Sequence, residues 1–199
     1  MSIPTPEIAA CLDGGGVVLL PTDTVLGLAA SPRHDSAVAR LFALKDRPAE
    51  KNLPVMVADA AQIASLGTIL SPVAHNLIAS PFCPGPLTLV LPLGNPRPDW
   101  LTDRSEVAVR IPADTRLLEI LRAVGPLLVT SANRSGADTP KSAREAAAQL
   151  TARPDMVIDG TSQMHAPSTI VDCTAKSARI LRHGAISDEA LSPYLEAST

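Results

Sequence analysis

Apolar residues along this chain follow two alternating rhythms. Residues 6–13 carry a helical pattern that Gly14 to Gly16 end, and "VVLLP" (17–21) is a short β-branched run that reads as a buried strand. "SPRHDSAVARLFALK" (31–45) opens on Ser31 and Pro32, a good N-cap and first-turn pair, and places Val38, Leu41, Phe42 and Leu44 on one helical face. "LPVMVAD" (53–59) predicts a second strand, followed by helical stretches at 59–66 and 71–79. "PFCPGPLTLVLPL" sets a Pro- and Gly-punctuated loop before a strand at 87–93, and "EVAVRIP" (106–112) alternates like another. A helix at 114–123, a strand at 126–130 and a helix at 141–150 come next. Short strands at 155–159, 168–172 and 178–182 precede a terminal helix at 187–196.

Interleaved strands and helices predict an α/β fold with a largely covered sheet. No low-complexity linker and no internal repeat divides the sequence, so a single domain over 1–199 is expected. The 19 prolines gather at strand ends, where they fix loops.

Composition narrows the function more than the fold. With aromatics at 2%, the core must rest on Leu, Val, Ile and Ala, and there are few rings on which single-stranded bases could stack. A formal net charge of −3 gives no global attraction to nucleic acid or anionic membrane, although a local basic cleft remains open. Cys11, Cys83 and Cys173 are odd in number and widely spaced, as expected of small apolar residues in a reducing compartment. No apolar run is long enough to span a bilayer, so the expected location is the cytoplasm.

Chemistry-bearing residues collect where strands end. The first strand runs into Thr22, Asp23 and Thr24, and "KDRPAEK" brings Lys45, Arg47 and Lys51 within seven positions. Arg110 sits among apolar neighbours; such an arginine either faces solvent or needs a buried anion. Ser131 and Asn133 lie in "TSANRSG", Ser168 and Thr169 open a late strand, and Arg182 follows "ARIL". Ligands of α/β sheets sit beyond strand ends, and several cations among small hydroxyls suit a polyanion such as phosphate. Taken alone, the lysine–arginine cluster reads as a solvated helix end, and "SANRSG" as a turn. No Ser–His or His–carboxylate pair and no common nucleotide fingerprint is present. The residues by themselves therefore indicate an anion-binding α/β domain, suited to positioning and charge neutralisation.

The ordered set "PTDTVLGL", "LFALKDRP..K", "PGPLTLVL", "VAVRIP", "TSANRSG", "STIVD" and "ILRHG" resembles the YrdC/TsaC family, the threonylcarbamoyl-AMP synthases, in its short single-domain form. The resemblance implies a twisted mixed sheet flanked by helices around a deep basic cleft. It implies a reaction that joins L-threonine, bicarbonate and ATP, with Mg2+, to give threonylcarbamoyl-AMP and pyrophosphate. A downstream transferase complex then carries the group to adenosine 37 of ANN-decoding tRNAs, and direct tRNA contact is conceivable. Carried over by position, Lys45 and Arg47 are the expected catalytic pair. Thr24, Arg110 and Ser168 fall on the threonine side; Arg47, Lys51, Ser131, Asn133, Lys141 and Arg182 fall on the ATP side. No dedicated metal ligand is implied. Leu26 stands where the family usually has an aromatic residue, which suggests an altered pocket wall, and Glu106 stands where Thr is common.

Two other readings compete. A non-catalytic relative of the same fold could cradle double-stranded RNA or tRNA on a basic concave face. A carbamoyl-transferring relative, of the kind found inside a hydrogenase-maturation protein, would be accompanied by acylphosphatase and zinc-finger segments.

Overall fold

The computed structural model describes residues 3–48, 52–161, 164, 166–175 and 177–196. Its strands are β1 (Val18–Leu20), β2 (Gly27–Ala30), β3 (Val55–Met56), β4 (Leu87–Pro92), β5 (Glu106–Arg110), β6 (Leu127–Ser131), β7 (Met156–Val157), β8 (Thr169–Asp172) and β9 (Arg179–Arg182). They join into one mixed sheet in the order β7-β1-β2-β6-β3-β5-β4-β8-β9. Pairing is parallel at β7–β1, β3–β5 and β4–β8 and antiparallel elsewhere.

The helices are α1 (Thr5–Asp13), α2 (Asp35–Lys45), α3 (Ala60–Ser65), α4 (Pro72–Ile78), α5 (Thr115–Val124), α6 (Ala143–Gln149) and α7 (Asp188–Leu191). Their starts follow from local chemistry. The side chains of Asp59, Ser71, Asp114, Ser142 and Ser187 each accept a backbone N–H in the first turn of the helix that follows. Gly125, at φ 85°, ends α5 in a conformation that costs a glycine little.

Strand alternation divides the interior. Leu19, Leu28, Val55, Leu89, Val107, Val109 and Leu128 point to one face, where Leu41, Leu44, Ile63, Val73, Leu77 and Ala146 of α2, α3, α4 and α6 cover them. On the other face Val18, Leu20, Ala29, Met56, Leu127 and Val129 meet Ile8 and Leu12 of α1 and Leu117, Ile120 and Leu121 of α5. These two helices cover only the β1–β2–β6–β3 part of that face. Over β5, β4 and β8 the same face stays open, and its residues there are Ala108, Arg110, Thr88 and Ile170. Cys173 is buried and Cys11 and Cys83 are half-buried; burial raises all three thiols, Cys83 to about 11 and Cys173 to about 12. No helix among the described residues is long and apolar enough to cross a membrane.

Three expectations change. Gly27–Ala30 forms a fully buried strand that the sequence pattern does not announce, because glycine and alanine carry little β preference. Burial between β1 and β6 decides it; a Cβ on Gly27 would stand 2.9 Å from Val129 Cγ1. The helix expected from Ser31 begins at Asp35 with His34 as N-cap, since residues 31–34 close a turn through His34 N–H to Ser31 O. The terminal helix shortens to α7 and a 3₁₀ turn at Ser192–Tyr194.

Gly184 fixes the approach of the segment after β9 to the start of β8. A Cβ there would lie 2.4 Å from Pro167 O and 2.5 Å from the Ser168 carbonyl carbon, both backbone atoms unable to yield. Gly184→Ala is expected to lower the free energy of urea unfolding by about 1–3 kcal/mol. An unchanged unfolding midpoint would contradict this close packing.

Candidate active site

The open part of the sheet face forms the floor of a cavity of about 410 Å³. Small residues give it room: Gly27 of β2, Ala108 of β5 and Thr88 of β4 leave space that larger side chains would fill. Thr22, Thr24 and Val25 of the β1–β2 loop, Ser131 at the end of β6, Thr139, and Pro167 and Ser168 before β8 form the rim. Arg47, Arg110 and Arg182 also line it, and no Asp or Glu does among the described residues.

Arg110 is the most tightly held of these cations. Its Nε donates to Gly85 O at 2.9 Å and its Nη1 to Thr24 Oγ1 at 2.6 Å. Nη2 lies 2.7 Å from Asp23 Oδ1, with both side chains 5% exposed. That contact is a buried ion pair, with neither atom open to solvent. Asp23 Oδ2 accepts from Ala113 N at 3.0 Å. Burial pushes the Arg110 guanidinium down and the Asp23 charge opposes that shift. So the arginine expected to need a buried anion has one in the adjacent loop.

The two threonines beside Asp23 have distinct hydrogen-bond roles. Thr22 Oγ1 donates to Val25 O at 2.6 Å and accepts from Thr24 N at 3.1 Å, which folds the loop back on itself. Thr24 Oγ1, accepting from Arg110, faces the cavity. On the opposite rim Arg182 donates Nε and Nη2 to Ser168 O, at 3.1 and 2.7 Å, and Nη2 also to Ser168 Oγ at 3.0 Å. Burial, then the nearby Arg110 charge, lowers the Arg182 guanidinium.

Lys45 lies behind the wall. The residue is 2% exposed and does not line the cavity. Its Nζ donates to Asn133 O at 2.5 Å and to Ser131 O, and Ser135 N donates back to Lys45 O at 2.9 Å. The end of α2 is thereby stitched to the loop after β6. Asn133 Nδ2 donates to Arg134 O and Ala137 O, at 3.1 and 2.6 Å, leaving a buried Oδ1 with no partner. Burial, with Arg47 adding to it, lowers the Lys45 ammonium to about 8.

Among the residues expected from the sequence, Thr24, Arg47, Arg110, Ser131, Ser168 and Arg182 converge on one cavity. Lys45 and Asn133 support its wall from behind. Lys141 is exposed, just before α6, with its backbone N–H on Glu145 Oε2, and Lys51 lies outside the described residues. Leu26 does not form a pocket wall: it is fully buried in the helix-covered core, since Val25 and Gly27 take the cavity side of the alternation. Glu106 is exposed at the far end of β5 from Arg110, away from the cavity. The sequence pattern by itself does not single out Thr88, and it marks Asp23 only as one of the polar residues after the first strand. Thr88 has a legible signal, being the polar residue of "LTLVL" in phase with Arg110 across the β4–β5 pair; for Asp23 only the fold supplies the partner.

Residues 10–184 match the Sua5/YciO/YrdC family, described as "Telomere recombination". A threonylcarbamoyl-AMP synthase from Stenotrophomonas maltophilia is 36% identical over 87% of this chain and 94% of its own length. The crystal structure of Pyrococcus abyssi Sua5 complexed with L-threonine superposes with a TM-score of 0.88 at 33% identity, over 97% of this chain and 57% of that longer one. Escherichia coli YciO, at 24% identity and a TM-score of 0.82, shares the fold over 96% of this chain and 92% of its own.

Two measurements test the site's construction. Asp23→Ala leaves Arg110 buried without a counter-charge and is expected to cost about 3–5 kcal/mol of stability, with part recovered in an Asp23→Ala/Arg110→Met double variant. Purely additive losses in denaturant unfolding would refute the pairing. For Lys45, the unfolded chain holds its proton up to the ordinary 10.5 while the folded chain releases it near 8. The unfolded state binds more protons in that window, so stability attributable to Lys45 rises with pH across it. Lys45→Met should lack that rise when unfolding midpoints are compared at pH values on either side of 8.

Proposed function

The chain belongs to the Sua5/YciO/YrdC family, and on that premise we infer that it is a threonylcarbamoyl-AMP synthase. The observation that carries this reading is the cavity's lining of three arginines and several hydroxyls, with no carboxylate among the described residues that line it. Such a lining receives an anionic amino acid derivative and a nucleotide triphosphate, and repels neither.

In the reaction, the threonine amine adds to carbon dioxide, formed from bicarbonate by loss of hydroxide, and releases a proton to give a carbamate. A carbamate oxygen then attacks the α-phosphorus of ATP; the bond from that phosphorus to the α,β-bridging oxygen breaks, and pyrophosphate leaves with the electron pair. No acid–base dyad is required, because the protein's contribution is alignment and neutralisation of developing charge. Thr24, Arg110 and Ser168 are assigned to threonine. Arg47, Ser131 and Arg182 are assigned to the triphosphate and nascent carbamate, with Lys45 and Asn133 holding the Ser131 loop in register. Lys51 and Lys141 are further candidates on the nucleotide side. Magnesium belongs to the substrate as MgATP, since no acidic residue lines the cavity among the described residues.

The product is a mixed anhydride that must be consumed by transfer to an amine, which suits a downstream tRNA-modifying transferase. A duplex-RNA-binding role would call for cations exposed on a concave face, whereas Arg110 and Lys45 are buried.

Pyrophosphate release from ATP is expected to require both L-threonine and bicarbonate. Omission of either should abolish it, and Arg47→Ala should lower turnover by about a hundredfold or more while the unfolding curve is kept. Release indifferent to threonine would refute the assignment.

A further inference from the structure

Thr88 and Ser168 form a buried pair of hydroxyls on the cavity side of β4 and β8, with Oγ1 and Oγ 2.7 Å apart and residue exposures of 3% and 7%. The proton count of this pair limits what it can do. Ser168 Oγ already accepts from Arg182 Nη2, at 3.0 Å. Two hydroxyls that share one hydrogen bond use one O–H between them, so one O–H is left over whichever way the bond runs. The charged donor Arg182 polarises the Ser168 oxygen and makes its O–H the stronger donor, which orders the chain as Arg182 to Ser168 to Thr88. In that order the leftover O–H belongs to Thr88, which lines the cavity.

The antiparallel register places a second donor beside it. Leu89 pairs with Val109 and Val90 with Ala108, so Thr88 stands across from Arg110 on the same face. Arg110, which lines the same cavity, gives Thr24 Oγ1 only one of the two N–H groups on Nη1. Two adjacent donors with unspent N–H and O–H capacity suit an acceptor with two oxygens. Resting on the synthase reading above, we propose that Thr88 is a substrate-binding residue, donating its hydroxyl proton to one oxygen of the amino acid's α-carboxylate while Arg110 takes the other. Asp23 already offsets the Arg110 charge, so the Thr88 donor supplies direction that the ion-paired guanidinium alone does not.

The test compares Thr88→Val, which keeps the shape and removes the O–H, with Thr88→Ser, which keeps the O–H. Thr88→Val is expected to raise KM for L-threonine roughly ten- to a hundredfold and to leave KM for ATP within about twofold, with Thr88→Ser close to wild type. A merely structural role would move both constants and the unfolding midpoint together. Ser168→Ala combined with Thr88→Val should cost little more than the worse single change, because the two hydroxyls act as one chain. Inhibition by 1-amino-2-propanol, which is threonine without its carboxylate, should be insensitive to Thr88→Val. An active wild type with an unchanged threonine KM in Thr88→Val overturns the role of Thr88. Equal weakening of 1-amino-2-propanol overturns the carboxylate as its partner. A wild type that turns over ATP independently of threonine overturns the synthase reading, and the carboxylate assignment with it.

Discussion

The buried pair of Arg110 and Asp23 is the constraint on which the site's arrangement depends. A guanidinium in a sheet interior is costly unless charge and hydrogen bonds meet it. Here they come from two separate pieces of chain: Asp23 and Thr24 in the loop after β1, and Gly85 before β4. Asp23 ties in a third by accepting from Ala113 beyond β5. These loops converge because each satisfies part of one side chain's demand, and Thr24 is oriented as a consequence. The pair therefore acts as a geometric anchor and leaves Arg110 with limited, directional hydrogen-bonding capacity.

The sheet contributes a simple asymmetry. One face is closed by four helices, while α1 and α5 cover only part of the other. Strands over the uncovered part keep the same alternation but exchange large apolar residues for Ala108, Thr88 and Arg110. A site built on strands is stiffer than one built on loops alone, which suits chemistry that relies on alignment. Lys45 extends this rigidity: its ammonium serves the carbonyls of Ser131, at the end of β6, and Asn133, in the loop after it.

Helices were the most legible elements. Their starts are written in Asp59, Ser71, Asp114, Ser142 and Ser187, and their faces in recurring Leu, Ile and Val. Strand β2 was not legible, because Gly27, Leu28, Ala29 and Ala30 earn their extended form from neighbours on both sides. The residues of the site were visible as chemistry at strand ends, and six of them do meet in one cavity. What could not be seen was which side of the wall each would occupy. Lys45 and Arg47 are two positions apart, yet one supports the wall and the other lines the cavity.

By itself the sequence determined the α/β class, the order of most elements, the family, and the set of cationic and hydroxyl groups available for an anionic ligand. Local signals suffice for these, since period, caps and motifs act over a few residues. The tertiary structure alone decided that Asp23 is the counter-ion of Arg110, 87 positions apart by number, that Thr88 and Ser168 share a hydrogen bond, and that Leu26 belongs to the core. Those outcomes depend on which strands become neighbours and in what register, and a one-residue slip would send strand side chains such as Thr88 and Arg110 to the opposite face.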